Sequence, residues 1–154
     1  ASGRLIARVE MGTRGTAAVL PLRGGRLVVA QRQVGEVLLV EQGRVALRRA
    51  LPGEPGDLAI SPDEQRLFVS LGQLDQVAVL TWPGLEVSAR IPVGRRPRAL
   101  ALNAATHRLY VANLQGGDVS VIDTESLREL HRIPTTGVNL RGLDLTADGL
   151  RAFV

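Results

Sequence analysis

The feature that most constrains this chain is repetition. Four segments match: Arg26-Leu-Val-Val-Ala30, Arg66-Leu-Phe-Val-Ser70, Arg108-Leu-Tyr-Val-Ala112 and Arg151-Ala-Phe-Val154. Their leading arginines recur at a near-constant interval. Val37-Leu-Leu-Val40, Val77-Ala-Val-Leu80 and Val119-Ser-Val-Ile122 follow the first three at a constant offset. Leu51-Pro52-Gly53, Ile91-Pro92-Val93 and Ile133-Pro134-Thr135 close each unit. Ala18-Val-Leu20, Leu58-Ala-Ile60, Leu100-Ala-Leu102 and Leu143-Asp-Leu145 open them, and this alignment places Asp144 opposite Val19, Ala59 and Ala101. A period of this length requires one supersecondary unit per repeat, each burying its apolar surface against the next.

Each unit holds four short runs rich in Val, Ile and Leu, separated by Gly, Pro, Asn and Asp, which is the pattern of strands and turns. Ser61-Pro62-Asp63-Glu64 puts proline where a type I turn wants the backbone angle that the proline ring already fixes. Gln115-Gly116-Gly117-Asp118 reads as another tight turn, and Thr146-Ala147-Asp148-Gly149 as the matching hairpin of the last unit. Several runs are apolar throughout instead of alternating, so both faces of these sheets should be covered. Four strands in about 42 residues predict the blade of a β-propeller. A helical repeat would need long 3.6-periodic runs, and a β-sandwich would leave the fixed offsets unexplained. The fold class expected is all-β: a propeller segment of about three and a half four-stranded blades.

The stretches Arg108-Leu-Tyr-Val-Ala-Asn113, Asp118-Val-Ser-Val-Ile-Asp-Thr124 and Arg132-Ile-Pro134 resemble the YVTN-type bacterial β-propeller repeat. Leu58-Ala-Ile-Ser-Pro-Asp63 is similar to that family's opening strand-turn-strand. The likeness covers essentially the whole chain and is tightest over 57–154. The first unit departs from it, with Pro21-Leu22 in place of the usual hairpin and Gln31-Arg32 where Asn is typical. The resemblance implies that the opening run of each unit is the innermost strand and the Ile-Pro run the outermost. The chain then divides into an outer strand of a preceding blade (4–12), three blades (17–52, 57–93 and 98–135) and two inner strands of a further blade (140–154). A lone arc would expose its terminal faces. Two expectations follow: further blades in a longer chain of six to eight, or a second copy closing an eight-bladed ring.

Composition removes some function classes. All 19 basic residues are arginine, the formal charge is +4, and the arginines recur at matching repeat positions instead of forming one stripe. With four aromatics (Phe68, Trp82, Tyr110 and Phe153) the chain has too few rings for a base-stacking platform, so no nucleic-acid partner is expected. No apolar run approaches the length needed to span a bilayer as a helix, so no membrane-inserted helix is expected. Cysteine is absent, which excludes disulfides, thiolate metal sites and thiol nucleophiles from this segment. The start, Ala1-Ser2-Gly3-Arg4, shows no apolar leader; a removed leader, a piece of a longer protein and a cytosolic chain all fit it.

Spacing points to one face. Val40 to Pro52, Leu80 to Pro92 and Ile122 to Pro134 share a single spacing, whereas the stretches from Pro52 to Leu58, Pro92 to Leu100 and Pro134 to Leu143 lengthen in turn. Length variation concentrated in one set of loops on a rigid scaffold marks the place for binding residues. In the propeller topology these loops share a face, around the channel mouth, with those joining second and third strands. Arg98 and Arg141 occupy equivalent positions there, with Arg95 and Arg96 in the same loop as Arg98. Their forked donors suit a carboxylate or phosphate. The neighbouring connections bring Gln31, Arg32, Gln73, Asp75, Asn113 and Gln115 to the same face. Asp144 stands among small or apolar equivalents on an inner strand, where an acid needs water, a partner or a ligand. Ordinary solvated loop charge and channel water are the competing readings of all these residues.

No catalytic constellation is present. His107 and His131 stand far apart in sequence on different elements, and two ligands do not make a zinc site, so no metal or cofactor is expected. The serines lack a nucleophile-elbow context. Trp82, with Pro83-Gly84, sits where it either caps a turn or touches a partner. The leading reading is a non-catalytic scaffold that binds a protein, glycan or small ligand at the channel-mouth face. The alternative is a fragment of a periplasmic propeller enzyme, since the resemblance extends to amine dehydrogenases, cytochrome-type nitrite reductases and lactonases. A surface or envelope module is a third. A periplasmic or extracellular location is expected, with the cytoplasm left open.

Overall fold

A computed structural model describes residues 15–136, 140, 142–146 and 152–153. The outer strand expected over 4–12, the hairpin turn at 147–149, Arg141 and Arg151 lie outside the described residues. Strands β1 (Thr16–Pro21), β2 (Leu27–Gln31), β3 (Glu36–Glu41) and β4 (Arg44–Ala50) form the first antiparallel sheet in simple meander order. β5 (Pro55–Ile60), β6 (Arg66–Leu71), β7 (Gln76–Thr81) and β8 (Val87–Pro92) form the second. β9 (Pro97–Asn103), β10 (Arg108–Asn113), β11 (Asp118–Asp123) and β12 (Arg128–Pro134) form the third, and β13 (Asp144–Leu145) pairs with β14 (Ala152–Phe153). The first strands of successive sheets lie against one another, while the fourth strands fan apart. That is the radial arrangement of propeller blades.

The continuous apolar runs are explained by two buried faces. Along β6, Leu67, Val69 and Leu71 join Val28, Ala30, Val37 and Leu39 of the first blade in one core cluster. Phe68, between them, points the other way and packs with Leu100, Leu109, Val111 and Ile122 of the third blade. In β7, Ala78 and Leu80 face the first blade, and Val77 and Val79 the third. Period-2 geometry therefore sends alternate residues into two different cores. The outer strands keep one face in water: β4 alternates half-buried and exposed along its whole length. Val19, Leu130, Ile133 and Phe153 are exposed apolar side chains on the first, third and fourth units.

The register corrects one sequence alignment. Ala59 pairs with Phe68, Ala101 with Tyr110 and Asp144 with Phe153, but Val28 pairs with Leu20. Leu20, not Val19, therefore occupies the place of Ala59, Ala101 and Asp144. The reason is a shorter first hairpin: the stretch from Leu20 to Val28 is one position shorter than that from Ala59 to Phe68. Pro21 ends β1 and a 3-10 turn over Arg23–Gly25 replaces the Ser-Pro-Asp turn of the second blade. There, Glu64 N–H donates to the Ser61 carbonyl at 2.9 Å across Pro62, as the type I reading requires.

The arginines that lead the first two repeats also gain a cause. The Arg26 guanidinium crosses to the second blade, donating to Glu64 at 3.0 Å and lying 5.5 Å from the Trp82 ring centre. Arg66 does the same one blade on, donating to the Thr124 carbonyl at 2.6 Å. Trp82 is buried in the core between the first two blades, and its backbone N–H closes the turn onto the Gln65 carbonyl at 3.0 Å.

Candidate functional site

The loops joining fourth to first strands and those joining second to third strands interlock on one face. Leu51 N–H donates to Gly35 O at 2.7 Å, Val93 N–H to Asp75 O at 2.9 Å and Thr135 N–H to Gly117 O at 2.9 Å. Gly72 N–H reaches Glu54 O, and Leu114 N–H reaches Arg96 O. Asp75 adds a side-chain bond, its carboxylate accepting the Arg96 N–H at 2.7 Å. Gln73 donates to the Glu54 carboxylate at 2.8 Å.

In each of the three four-stranded blades the inner strand enters this face through a register irregularity at the same place. The shifts fall between Thr16 and Ala18, between Pro55 and Leu58, and between Pro97 and Ala99. One extra residue per strand is a β-bulge, which turns a side chain out of the ladder. Ala17, Gly56 and Arg98 hold that equivalent position, two residues before Val19, Leu58 and Leu100. Two cavities meet at Arg98. One of about 250 Å³ lies along the inner strands and touches Ala17, Gly56, Asp57, Arg98 and Gly142, so four successive units contribute to it. A smaller one of about 40 Å³ is walled by Arg32, Glu54, Arg96, Arg98 and Leu114.

The candidate residues are not equally placed. Arg96 and Arg98 stand together, and Arg32 of the first blade joins them. Arg95 is exposed and lines neither cavity; its carbonyl accepts the N–H groups of Gln115 and Gly116. Gln73 is exposed and tied to Glu54. Gln31 and Asn113 are buried, at 1% and 0% exposure, and are not presented on the surface. The Asn113 amide donates to Asp118 and to Ser120, a structural network. Asp144 is exposed on β13 and its carboxylate accepts the N–H of Leu145 at 2.8 Å. Arg141 lies outside the described residues.

Asp57 was not singled out by the sequence, although the signal was of the same kind as Asp144. Its equivalents are Ala99 and Gly142. One carboxylate oxygen accepts the N–H of Leu58 and the other the N–H of Leu100 in the next blade, both at 2.9 Å. Ser70 completes the stitch: its hydroxyl accepts the Asp57 N–H and donates to the Arg98 carbonyl at 3.1 Å. The carboxylate thus fixes the backbone that carries Arg98. Asp57→Ala strands the Leu100 donor and is expected to destabilise the chain by about 1–3 kcal/mol. Denaturant unfolding of the variant beside Asp57→Asn, which keeps one acceptor, measures it.

The opposite face holds a cleft of about 330 Å³ between the second and third blades, with Asp63, Arg66, His107 and Glu125 in its wall. It mixes acidic and basic side chains, and Arg66 is already committed to Thr124. The Ser61 hydroxyl, foremost, and the Gln65 N–H hold the Asp63 carboxyl below its ordinary range. The Ser126 N–H, first among several bonds, does the same for Asp123. Both are turn-forming carboxylates. Among the described residues no group of three His, Cys, Asp or Glu side chains is placed to hold a metal, and no helix is long and apolar enough to cross a membrane.

No protein-family model matches the chain, and no curated protein matches it. Solved structures do. Hydrazine synthase of Kuenenia stuttgartiensis superposes with a TM-score of 0.82 at 23% identity, over 88% of this chain and 40% of that one. Virginiamycin B lyase of Staphylococcus aureus gives 0.77 at 11% identity, over 92% and 49%. A streptogramin B lyase gives 0.78 at 11% identity, over 92% and 48%. The chain therefore spans less than half the length of these proteins, and identities this low carry fold alone. Three four-stranded meanders, arranged radially and matched by these structures, make the chain a β-propeller segment.

Proposed function

We propose that this segment is a non-catalytic propeller scaffold, of the YVTN-type repeat, that binds a protein, glycan or small ligand at its channel-mouth face. One observation carries the reading. The recurrent bulge delivers Arg98 to the junction of two cavities beside Arg32 and Arg96, and none of these three takes part in an ion pair among the described residues. Arg26, Arg49 and Arg108, by contrast, each have a carboxylate partner, and Arg66 is taken up by the Thr124 carbonyl. Exposed Val19, Leu130 and Ile133 fit burial against further blades of a longer propeller.

The absence of cysteine gives a clean test. Gln115→Cys on the binding face and Glu125→Cys on the opposite face are each coupled to a bulky maleimide, and the chain is applied to an array of glycans and peptides. The label at 115 is expected to abolish capture and the label at 125 to leave it intact. Equal capture by both, or none by the unlabelled chain, overturns the reading.

A second reading, a fragment of a periplasmic propeller enzyme, is favoured by neighbours whose names are those of two lyases and a synthase. Turnover by the longer chain that survives Arg98→Ala would move the chemistry to other blades.

A further inference from the structure

We infer that the small cavity between Arg32, Arg96 and Arg98 is an oxyanion site, taking a carboxylate or phosphate group of the ligand. The inference rests on the channel-mouth face being the binding face and names the chemistry that face selects. Three arginines and one acidic residue, Glu54, line the cavity. Glu54 accepts from Gln73 and makes no ion pair with any of the three arginines. Guanidinium has donors and no acceptor, so whatever completes this wall must bring acceptors.

The decisive atom is Arg32 Nη2. It is shut off from solvent and has no hydrogen-bond partner. Buried donors are paired in the great majority of cases, and an unpaired charged one is among the costliest to leave. The cavity that Arg32 lines, about 40 Å³, has room for a few waters or one compact oxyanion, and a small shift of the guanidinium would bring Nη2 to its occupant. The site is also built across blades. Arg32 follows β2 in the first blade, whereas Arg96 and Arg98 enter the third. The Arg98 backbone is held by Ser70, and the Arg96 backbone by Asp75 and Leu114. Glycine at position 56 leaves Arg98 room to approach, since a Cβ there would meet the Arg98 carbonyl at 3.1 Å. Two of the three donors are thus carried on fixed backbone, as oxyanion recognition requires.

Calorimetric titration of the chain with inorganic phosphate and, separately, with acetate tests the site. Saturable binding of at least one is expected, and the tighter of the two identifies the oxyanion. Arg32→Ala and Arg98→Ala are each expected to weaken it by about tenfold or more. Arg95→Ala, one loop residue outside the cavity, is expected to change it by no more than about twofold. Glu54→Gln removes the lone carboxylate and is expected to tighten binding several-fold, an outcome that loss of folding cannot mimic. No saturable binding of either anion, or an Arg95→Ala loss equal to that of Arg98→Ala, overturns the inference. If the anions fail while the label at 115 still blocks capture on the array, the oxyanion site falls and the binding face stands.

Discussion

Phe68→Ala is expected to destabilise the chain by about 3–5 kcal/mol, the cost of emptying an aromatic-sized space in a packed core. Phe68 is fully buried and is the one apolar β6 side chain in the core between the second and third blades. Its equivalents are Val28, Tyr110 and Phe153, so the position takes a large residue in three blades of four. Collapse around the void is limited because β6 is held between β5 and β7 and packed on its other face by Leu67 and Val69. Phe68→Leu should recover much of the loss, since it restores volume without new polarity. Denaturant midpoints for the pair check this, and near-equal midpoints for Phe68→Ala and the parent would mean that the blades do not pack as described.

Gly94→Ala is expected to cost about 3 kcal/mol, from overpacking and from a broken buried network. A Cβ at this position would collide with the Asn113 amide nitrogen and lie 2.5 Å from the Asp118 carboxylate. These are side-chain atoms, but they are not free to yield. Asn113 is fully buried and donates to Asp118 at 2.5 Å and to Ser120 at 2.9 Å, and Ser120 accepts the Gly94 N–H at 3.1 Å. The substitution therefore displaces the whole cluster beneath the loop that carries Arg95 and Arg96. Coupling is the diagnostic: in the Gly94→Ala/Asn113→Ala double variant the clash with Asn113 is gone and Asp118 loses its tether to the Asn113 amide, so the two losses should add to more than the measured one. Strict additivity would place the strain elsewhere.

The sequence made the architecture readable because repetition reports packing directly. Apolar runs at Arg26–Ala30, Arg66–Ser70 and Arg108–Ala112 appear as β2, β6 and β10, and the proline-aspartate turn at 61–64 forms as its residues dictate. Three aspects were hidden. The first blade slipped by one position because alternation along β1 is weak and the shortened hairpin leaves no apolar mark. The bulges were invisible because an extra residue changes hydrogen bonding without changing composition. Burial of polar side chains was also hidden: Gln31 and Asn113 look like exposed polar residues in sequence, yet both sit in closed surroundings. Asp57 belongs with them. A carboxylate that satisfies backbone donors of two blades has the same spelling as one in water, and only its position beside small sister residues distinguished it. All three arginines were placed on this face by the sequence, but their meeting at one small cavity was not legible. Arg96 and Arg98 follow from loop spacing, whereas Arg32 arrives from a loop two blades away in connectivity.

The recurring bulge separates two inheritances that most binding sites mix. Backbone geometry at positions 17, 56 and 98 is common property of the blades, while the residue there differs: alanine, glycine, arginine. A protein so organised can acquire a new specificity by exchange at a socket of this ring with room, such as position 17, leaving strand register untouched, whereas position 56 is closed by its neighbours. The same property recommends the ring to anyone wishing to graft recognition onto a propeller.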